Sequence, residues 1–270
     1  MSDKNFCFYL FTRELLAEIQ KLTELVDVVK RLVNLDTALF IDQTSKSQTR
    51  LLPYTAANQV VVTENLRKGE IFVTGPNEQV FQLVLGEVGK FSYFSLFIDE
   101  ALLKSESWVE NFLDFAHQDF EKFAADFAFA FLAQPPGYDC AYMASEDSLE
   151  LGLRDTYWLN ILGPEFCELI GYKKLLAAPS YSTKLLHRRS VSIVCSPDPR
   201  EVFDKSQLRE YIGNQYFSTP QTRPIAKGKD ETGLWALTKH LFTIALDKGP
   251  EIRKAELSPK FPRKAGTPIN

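Results

Sequence analysis

The sequence predicts an α+β protein: an antiparallel meander sheet packed by two long helices, followed by a smaller αβ second half. Three observations carry this. Asn5–Phe11 is apolar on both alternating faces and so reads as a buried strand. Residues 71–98 hold three apolar runs separated by Gly-rich turns, the pattern of an antiparallel meander. Two long segments repeat their apolar residues at helical spacing.

Thr12 is placed to cap the first of these helices, through Val33, with Leu15, Leu16, Ile19, Leu22, Val26, Val29 and Val33 on one stripe. Ala38–Ile41 reads as a short strand, followed by a polar loop over Asp42–Arg50 and a segment containing Pro53. Ile71–Val73 and Val80–Leu85 flank the turn residues Gly75-Pro76-Asn77-Glu78, and Phe91–Ile98 follows a second turn at Gly86–Gly89. Ser107 and Glu110 have the spacing of a capping box at the start of the second long helix, expected to run to about Leu132. Its stripe is Val109, Leu113, Ala116, Phe120, Phe127 and Phe131, and Pro135-Pro136-Gly137 ends it.

In the second half Cys140–Ala144 reads as a strand. Gly163-Pro164 opens a short helix to Ile170 closed by Gly171. Ser182–His187 and Val191–Cys195 pair around Arg188-Arg189, and Asp204–Ile212 forms a helix closed by Gly213. The division expected is one domain over residues 1–215, in two sub-halves of about 1–135 and 138–215. A Pro-rich basic extension over 216–270 then carries one amphipathic helix at about Thr232–Asp247.

Hydrophobic residues make up 45% of the 270, enough for a sizeable core, and 21 Phe with 10 Tyr argue against disorder over most of the length. No apolar run approaches the ~18 residues that would span a bilayer, and no signal-peptide pattern follows Met1, so a cytoplasmic protein without membrane partners is expected. Cys7, Cys140, Cys167 and Cys195 lie far apart with no metal-ligand spacing, and read as small buried hydrophobes.

Chemistry finds little to stand on. His117, His187 and His240 sit in no zinc motif, and no Gly-rich loop has the strand–loop–helix setting that cradles phosphate. His187, Cys195 and Asp198 could be drawn as a nucleophile set across a hairpin, but Cys195 reads as the end of a buried strand, where thiols are inert. No catalytic, metal or cofactor residue is therefore assigned, and the expectation is a binding protein and not an enzyme. Lys227, Lys229, Lys239, Lys248, Arg253, Lys254, Lys260, Arg263 and Lys264 are scattered through Pro-rich sequence, which reads as a solvated basic tail and not as a nucleic-acid surface.

Charge is the informative feature. Residues 1–171 carry a net −13 and residues 172–270 a net +9. Between Asp99 and Asp155 stand 13 acidic residues opposed only by Lys104, Lys122 and Arg154. Glu106, Glu110, Asp114 and Glu121 align along the second long helix, with Glu146, Asp147 and Glu150 following. They read either as an ordinary solvated face or as a docking face for a basic protein. Trp108, on another flank, reads either as an aromatic anchor for that partner or as core.

One run is distinctive: Tyr157-Trp158-Leu159-Asn160-Ile161-Leu162-Gly163-Pro164-Glu165, continuing to Ala178-Pro179. It resembles the bacterial immunity proteins known as immunity protein 52, and more loosely the type VI immunity proteins of a neighbouring family. The segment Val194–Phe203, with Pro197-Asp198-Pro199-Arg200, resembles the strand-end loop of such proteins. The resemblance covers roughly residues 5–215 and leaves the basic tail outside. It implies a protein that binds and neutralises a cognate secreted polymorphic toxin, often a nuclease delivered by type VI or related secretion, with the acidic face filling a cationic groove. Within the run, Trp158, Leu162, Gly163 and Pro164 read as anchor, core and helix start, and Asn160 as a bridge between backbone groups. Two further readings stay open: an effector-binding adaptor or chaperone of a secretion system, and a small-molecule enzyme without a recognisable motif.

Overall fold

The computed structural model describes residues 5–13, 16, 18–42, 50–67, 70–75, 81–88, 91–103, 107–133, 153 and 155–217. Its centre is β1 (Asn5–Thr12), which pairs antiparallel with β6 (Phe91–Asp99) on one side and β7 (Phe127–Ala133) on the other. Phe6, Phe8 and Leu10 point to one face and Cys7, Tyr9 and Phe11 to the other, and all six are buried. A strand flanked by strands and covered on both faces has no solvent side, which is why its sequence shows no polar alternation.

Outward from β1 on the β6 side lie β5 (Phe81–Val88), β4 (Glu70–Thr74), β2 (Leu39–Asp42) and the edge strand β3 (Arg50–Pro53). On the β7 side lie β8 (Leu159–Leu162), β10 (Ser190–Val194) and the other edge, β9 (Ser182–Leu186). The ten strands among the described residues form one sheet in the order β3-β2-β4-β5-β6-β1-β7-β8-β10-β9, antiparallel at every junction.

Helices α1 (Ile19–Leu32), α2 (Gln59–Arg67) and α3 (Trp108–Lys122) pack on the first face. Helices α4 (Pro164–Ile170), α5 (Tyr172–Leu176) and α6 (Lys205–Ile212) pack on the second, beside β8 and β10. The predicted α+β class, with its meander and two long helices, is the fold found. None of the helices described is long and apolar enough to cross a membrane.

Three local expectations are corrected. The second long helix stops at Lys122 and does not reach Leu132. The segment Phe127–Ala133 alternates Phe with Ala, so its period is 2: Phe127 and Phe129 enter the second-face core while Ala128 and Ala130 lie beneath the helices. Ala124, at φ +46°, turns the chain out of the helix. The first helix begins at Ile19, not after Thr12, because Thr12 completes β1 and its Oγ1 donates to the Phe123 carbonyl at 2.8 Å. Ser107 stands at the N-cap of α3 but its side chain caps no backbone N–H. Its Oγ accepts from Asn111 Nδ2 at 3.3 Å, so the capping box is not made.

Trp108 is core: it is 4% exposed and packs in a cluster with Phe6, Phe112 and Trp158. The expected strand at Cys140–Ala144, the turn at 76–78 and the helix and tail beyond 217 lie outside the described residues.

The β7–β8 junction, which continues the sheet into the second half, leaves no room at Gly163. Its N–H donates to Asp126 O at 3.0 Å, and a Cβ there would lie 2.5 Å from the same oxygen. The Gly163→Ala variant is expected to lose about 1–3 kcal/mol of stability. A urea unfolding series read against wild type checks it. An unchanged midpoint would mean that the junction yields.

Candidate functional site

α3 carries three kinds of surface. Trp108, Phe112, Phe115, Ala116 and Phe120 enter the core. Lys122 pairs with Glu24, joining α3 to α1. The third flank holds the acidic series. At about 100° per residue, Glu110, Asp114 and Glu121 fall within about 40° of one another. Glu110 and Asp114 are exposed and make no ion pair among the described residues. Glu121 is half-buried and accepts a hydrogen bond from the backbone N–H of His187 at 2.7 Å, so it is committed to the turn between β9 and β10. Glu106, Glu146, Asp147 and Glu150 lie outside the described residues.

The acidic flank is thus the side of α3 that leans on the β9–β10 hairpin. His117 marks the contact: it is 9% exposed, and its Nε2 meets Ser192 Oγ of β10 at 2.9 Å. Burial lowers its pKa to about 4. The Lys184 ammonium pushes the same way, and the carboxylates of Asp114 and Glu121 oppose it. His117 is therefore neutral at physiological pH. Ser192 is 1% exposed, so the His–Ser pair is closed to any substrate.

Below the C-terminal end of α3 a cavity of about 200 Å³ opens, lined by Phe120, Glu121, Ala124, Ala125, Asp126, Pro164, Glu165, His187 and Ser190. Three carboxylates reach it: Glu121 from α3, Glu165 from α4 and Asp126 from the turn before β7. Arg13, leaving β1, makes a two-pronged ion pair with Glu165 at 2.5 and 2.6 Å, and its backbone N–H donates to Asp126 at 3.0 Å. Two residues of left-handed backbone border the cavity, Ala124 in the wall and Arg189, at φ +58°, next to Ser190. No sequence signal singles out Asp126 or Glu165, because the helical spacing places Asp126 inside a helix that in fact ends before it.

The residues of the distinctive run hold the chain in place. Trp158 Nε1 donates to Ser196 O at 2.8 Å. Asn160 is 5% exposed and spans Tyr157, accepting from its N–H at 3.0 Å and donating to its carbonyl at 2.7 Å. Leu162 ends β8 in the core, and Pro164 begins α4. The drawn set of His187, Cys195 and Asp198 does not assemble: His187 and Cys195 flank opposite ends of β10. Burial pushes the Cys195 thiol up to about 12, and Asp198 is held by Arg200. The described residues contain no group of three or more His, Cys, Asp or Glu able to hold a metal ion.

No protein-family model matches the sequence, and no curated protein matches it. Among solved structures the chain is similar to the Pseudomonas aeruginosa T6SS protein PA0821, with a TM-score of 0.55 at 10% identity, over 79% of this chain and 73% of that one. At that identity the likeness is one of fold, shared with a type VI secretion protein.

Two buried groups on α3 set a pH signature. Asp119 is 6% exposed, its Oδ2 has no partner among the described residues, and burial pushes its pKa up to about 7. A raised carboxyl favours the folded state below its unfolded value near 3.8 and loses that contribution as pH rises through about 7. His117 has the opposite sign: its contribution is complete above 6.5 and is lost as pH falls through about 4. Between those limits the two slopes oppose each other, so they largely cancel in wild type. In Asp119→Asn the stability should fall as pH drops from 7 to 4, by roughly 1–3 kcal/mol. Urea midpoints at four pH values test this, and a profile as flat as wild type would remove Asp119 from the account.

Proposed function

We propose that this chain is an immunity protein of a type VI or related secretion system, one that neutralises a cognate toxin by stoichiometric occlusion and not by chemistry. The observation that carries the reading is the pair of exposed carboxylates, Glu110 and Asp114, without ion partners among the described residues, on a flank that continues through Glu121 to the acid-lined cavity. Like charge kept together on a rigid helix costs a few tenths of a kcal/mol per close pair. Such charge steers a cationic partner and selects it. The fold likeness to a T6SS protein supports the setting, and the resemblance of the Trp158–Glu165 run to immunity proteins supports the role.

The partner of this reading is a toxin with a basic active-site surface, a nuclease being the class whose substrate groove best fits an acidic inhibitor. The acidic flank would occupy that groove inside the producing cell, in the cytoplasm, without cofactor, nucleic acid or membrane. Because the core of the flank is held by His117–Ser192 and Glu121–His187, the carboxylates are presented with little ordering cost on binding.

The test is co-expression with the toxin encoded beside it, followed by binding kinetics on the purified pair. Wild type should rescue growth and form a 1:1 complex whose affinity falls as salt rises. The double variant Glu110→Lys/Asp114→Lys should associate on the order of tenfold more slowly, with a smaller change in dissociation. An unchanged association rate would move the interface off this flank. A complex without growth rescue would make the protein an adaptor or chaperone.

A further inference from the structure

Ser190 carries a buried hydroxyl that the fold does not use. It begins β10, is 2% exposed, and its Oγ makes no hydrogen bond among the described residues. Positions 190 and 192 of a strand share a face. Ser192 Oγ meets His117 Nε2, so Ser190 is also turned toward α3, near its C-terminal end, where Glu121 lies one turn beyond His117. There Ser190 lines the cavity together with Glu121. A hydroxyl buried without a partner is a cost to the fold, and a guest that donates to it removes that cost.

Glu121 supplies charge at the same place. One of its oxygens accepts from the His187 N–H at 2.7 Å, and the carboxylate makes no ion pair among the described residues. Across the cavity Arg13 grips Glu165 through two N–H groups, and its Nε stands 3.7 Å from Asp126 Oδ1. Between these polar groups the lining is apolar, from Phe120, Ala124 and Pro164. The volume of about 200 Å³ is below the roughly 300–1,000 Å³ of sites for drug-sized ligands, and suits a single side chain.

We propose that this cavity is an anchor pocket for one arginine side chain of the protein partner, its guanidinium donating to Glu121 and to Ser190 Oγ. Three features favour arginine over lysine. A guanidinium spreads five donors over a plane and so serves a carboxylate and a hydroxyl in different directions, whereas an ammonium is compact and holds its water more tightly. It is also attracted to aromatic surface, which Phe120 brings to the wall. Arg13 shows that a carboxylate of this cavity takes the two-pronged geometry. Buried arginine anchors carry a large share of the binding energy of protein interfaces. Glu110 and Asp114 then steer the partner, and the pocket holds it. That the partner is a toxin rests on the immunity reading, while the chemistry of the pocket does not.

Two measurements on the full chain test this. N-acetyl-arginine amide, followed by amide NMR, should shift Glu121, His187 and Ser190 together and saturate in the millimolar range, with N-acetyl-lysine amide several-fold weaker. Ser190→Ala removes only the unpartnered hydroxyl, and Glu121→Gln keeps an oxygen to accept from His187. Both should hold the wild-type melting temperature and lose the arginine response. No saturable shift, a lysine response equal to that of arginine, or an arginine response that survives in both variants would each overturn the pocket. Against the toxin encoded beside this protein, Ser190→Ala should speed dissociation on the order of tenfold and leave association unchanged, the reverse of Glu110→Lys/Asp114→Lys. A complex whose dissociation ignores both Ser190→Ala and Glu121→Gln would overturn the anchor. No complex at all would end the immunity reading, and the arginine amide alone would then decide the pocket.

Discussion

β1 hydrogen-bonds to a strand on each side and buries a side chain on each face, and the rest of the molecule is arranged around satisfying those four demands. Its two registers, with β6 over Asn5–Thr12 and with β7 over Asn5–Phe11, fix where both neighbours lie. A one-residue slip in either would carry Phe6, Phe8 and Leu10 to the face now holding Cys7, Tyr9 and Phe11. In the observed register Phe8 stands opposite Ala130 and Leu10 opposite Ala128, so the large side chains that β1 sends toward the helices meet small ones from β7. The alternation of Phe and Ala in β7 is thus the counterpart of the uninterrupted apolar run in β1.

What the sequence makes legible follows from how local each signal is. The helix over Pro164–Ile170, the hairpin at Arg188-Arg189 and the helix capped by Asp204 are specified within a few residues, and each forms where expected. Asp204 shows why: its carboxylate accepts from the backbone N–H groups of Ser206 and Gln207, a bond the sequence spells directly. The end of α3 is not local. Ala124 and Ala125 are ordinary helix formers, and the chain leaves the helix there because β7 must reach β1. Phe127 and Phe131 fit a helical stripe and a strand face equally well, and only the pairing with β1 decides between them. β8 is hidden for the same reason: four residues, buried throughout, carry no periodicity to read.

The candidate site shows the same division. Glu110 and Asp114 can be found by helical spacing alone, and they stand exposed on α3. Asp126 and Glu165 come together only through the close approach of Gly163 to Asp126 and the reach of Arg13, contacts between residues far apart in the chain. Glu121 belongs to both groups, since spacing places it on the ridge while the His187 N–H draws it into the hairpin. Electrostatics on this helix is therefore shaped by the second half of the sheet as much as by the helix itself.

The indoles of Trp108 and Trp158 lie with ring centroids 6.4 Å apart, one on α3 and the other at the head of β8. Both also touch Phe6 of β1. Both rings are buried and fixed in a chiral setting, the condition under which indoles give near-ultraviolet dichroism. That setting is made by α3, β1 and β8 together, since each ring packs against the other and against Phe6. The molecule consequently contains an intrinsic optical reporter for the closure of its two halves into one sheet.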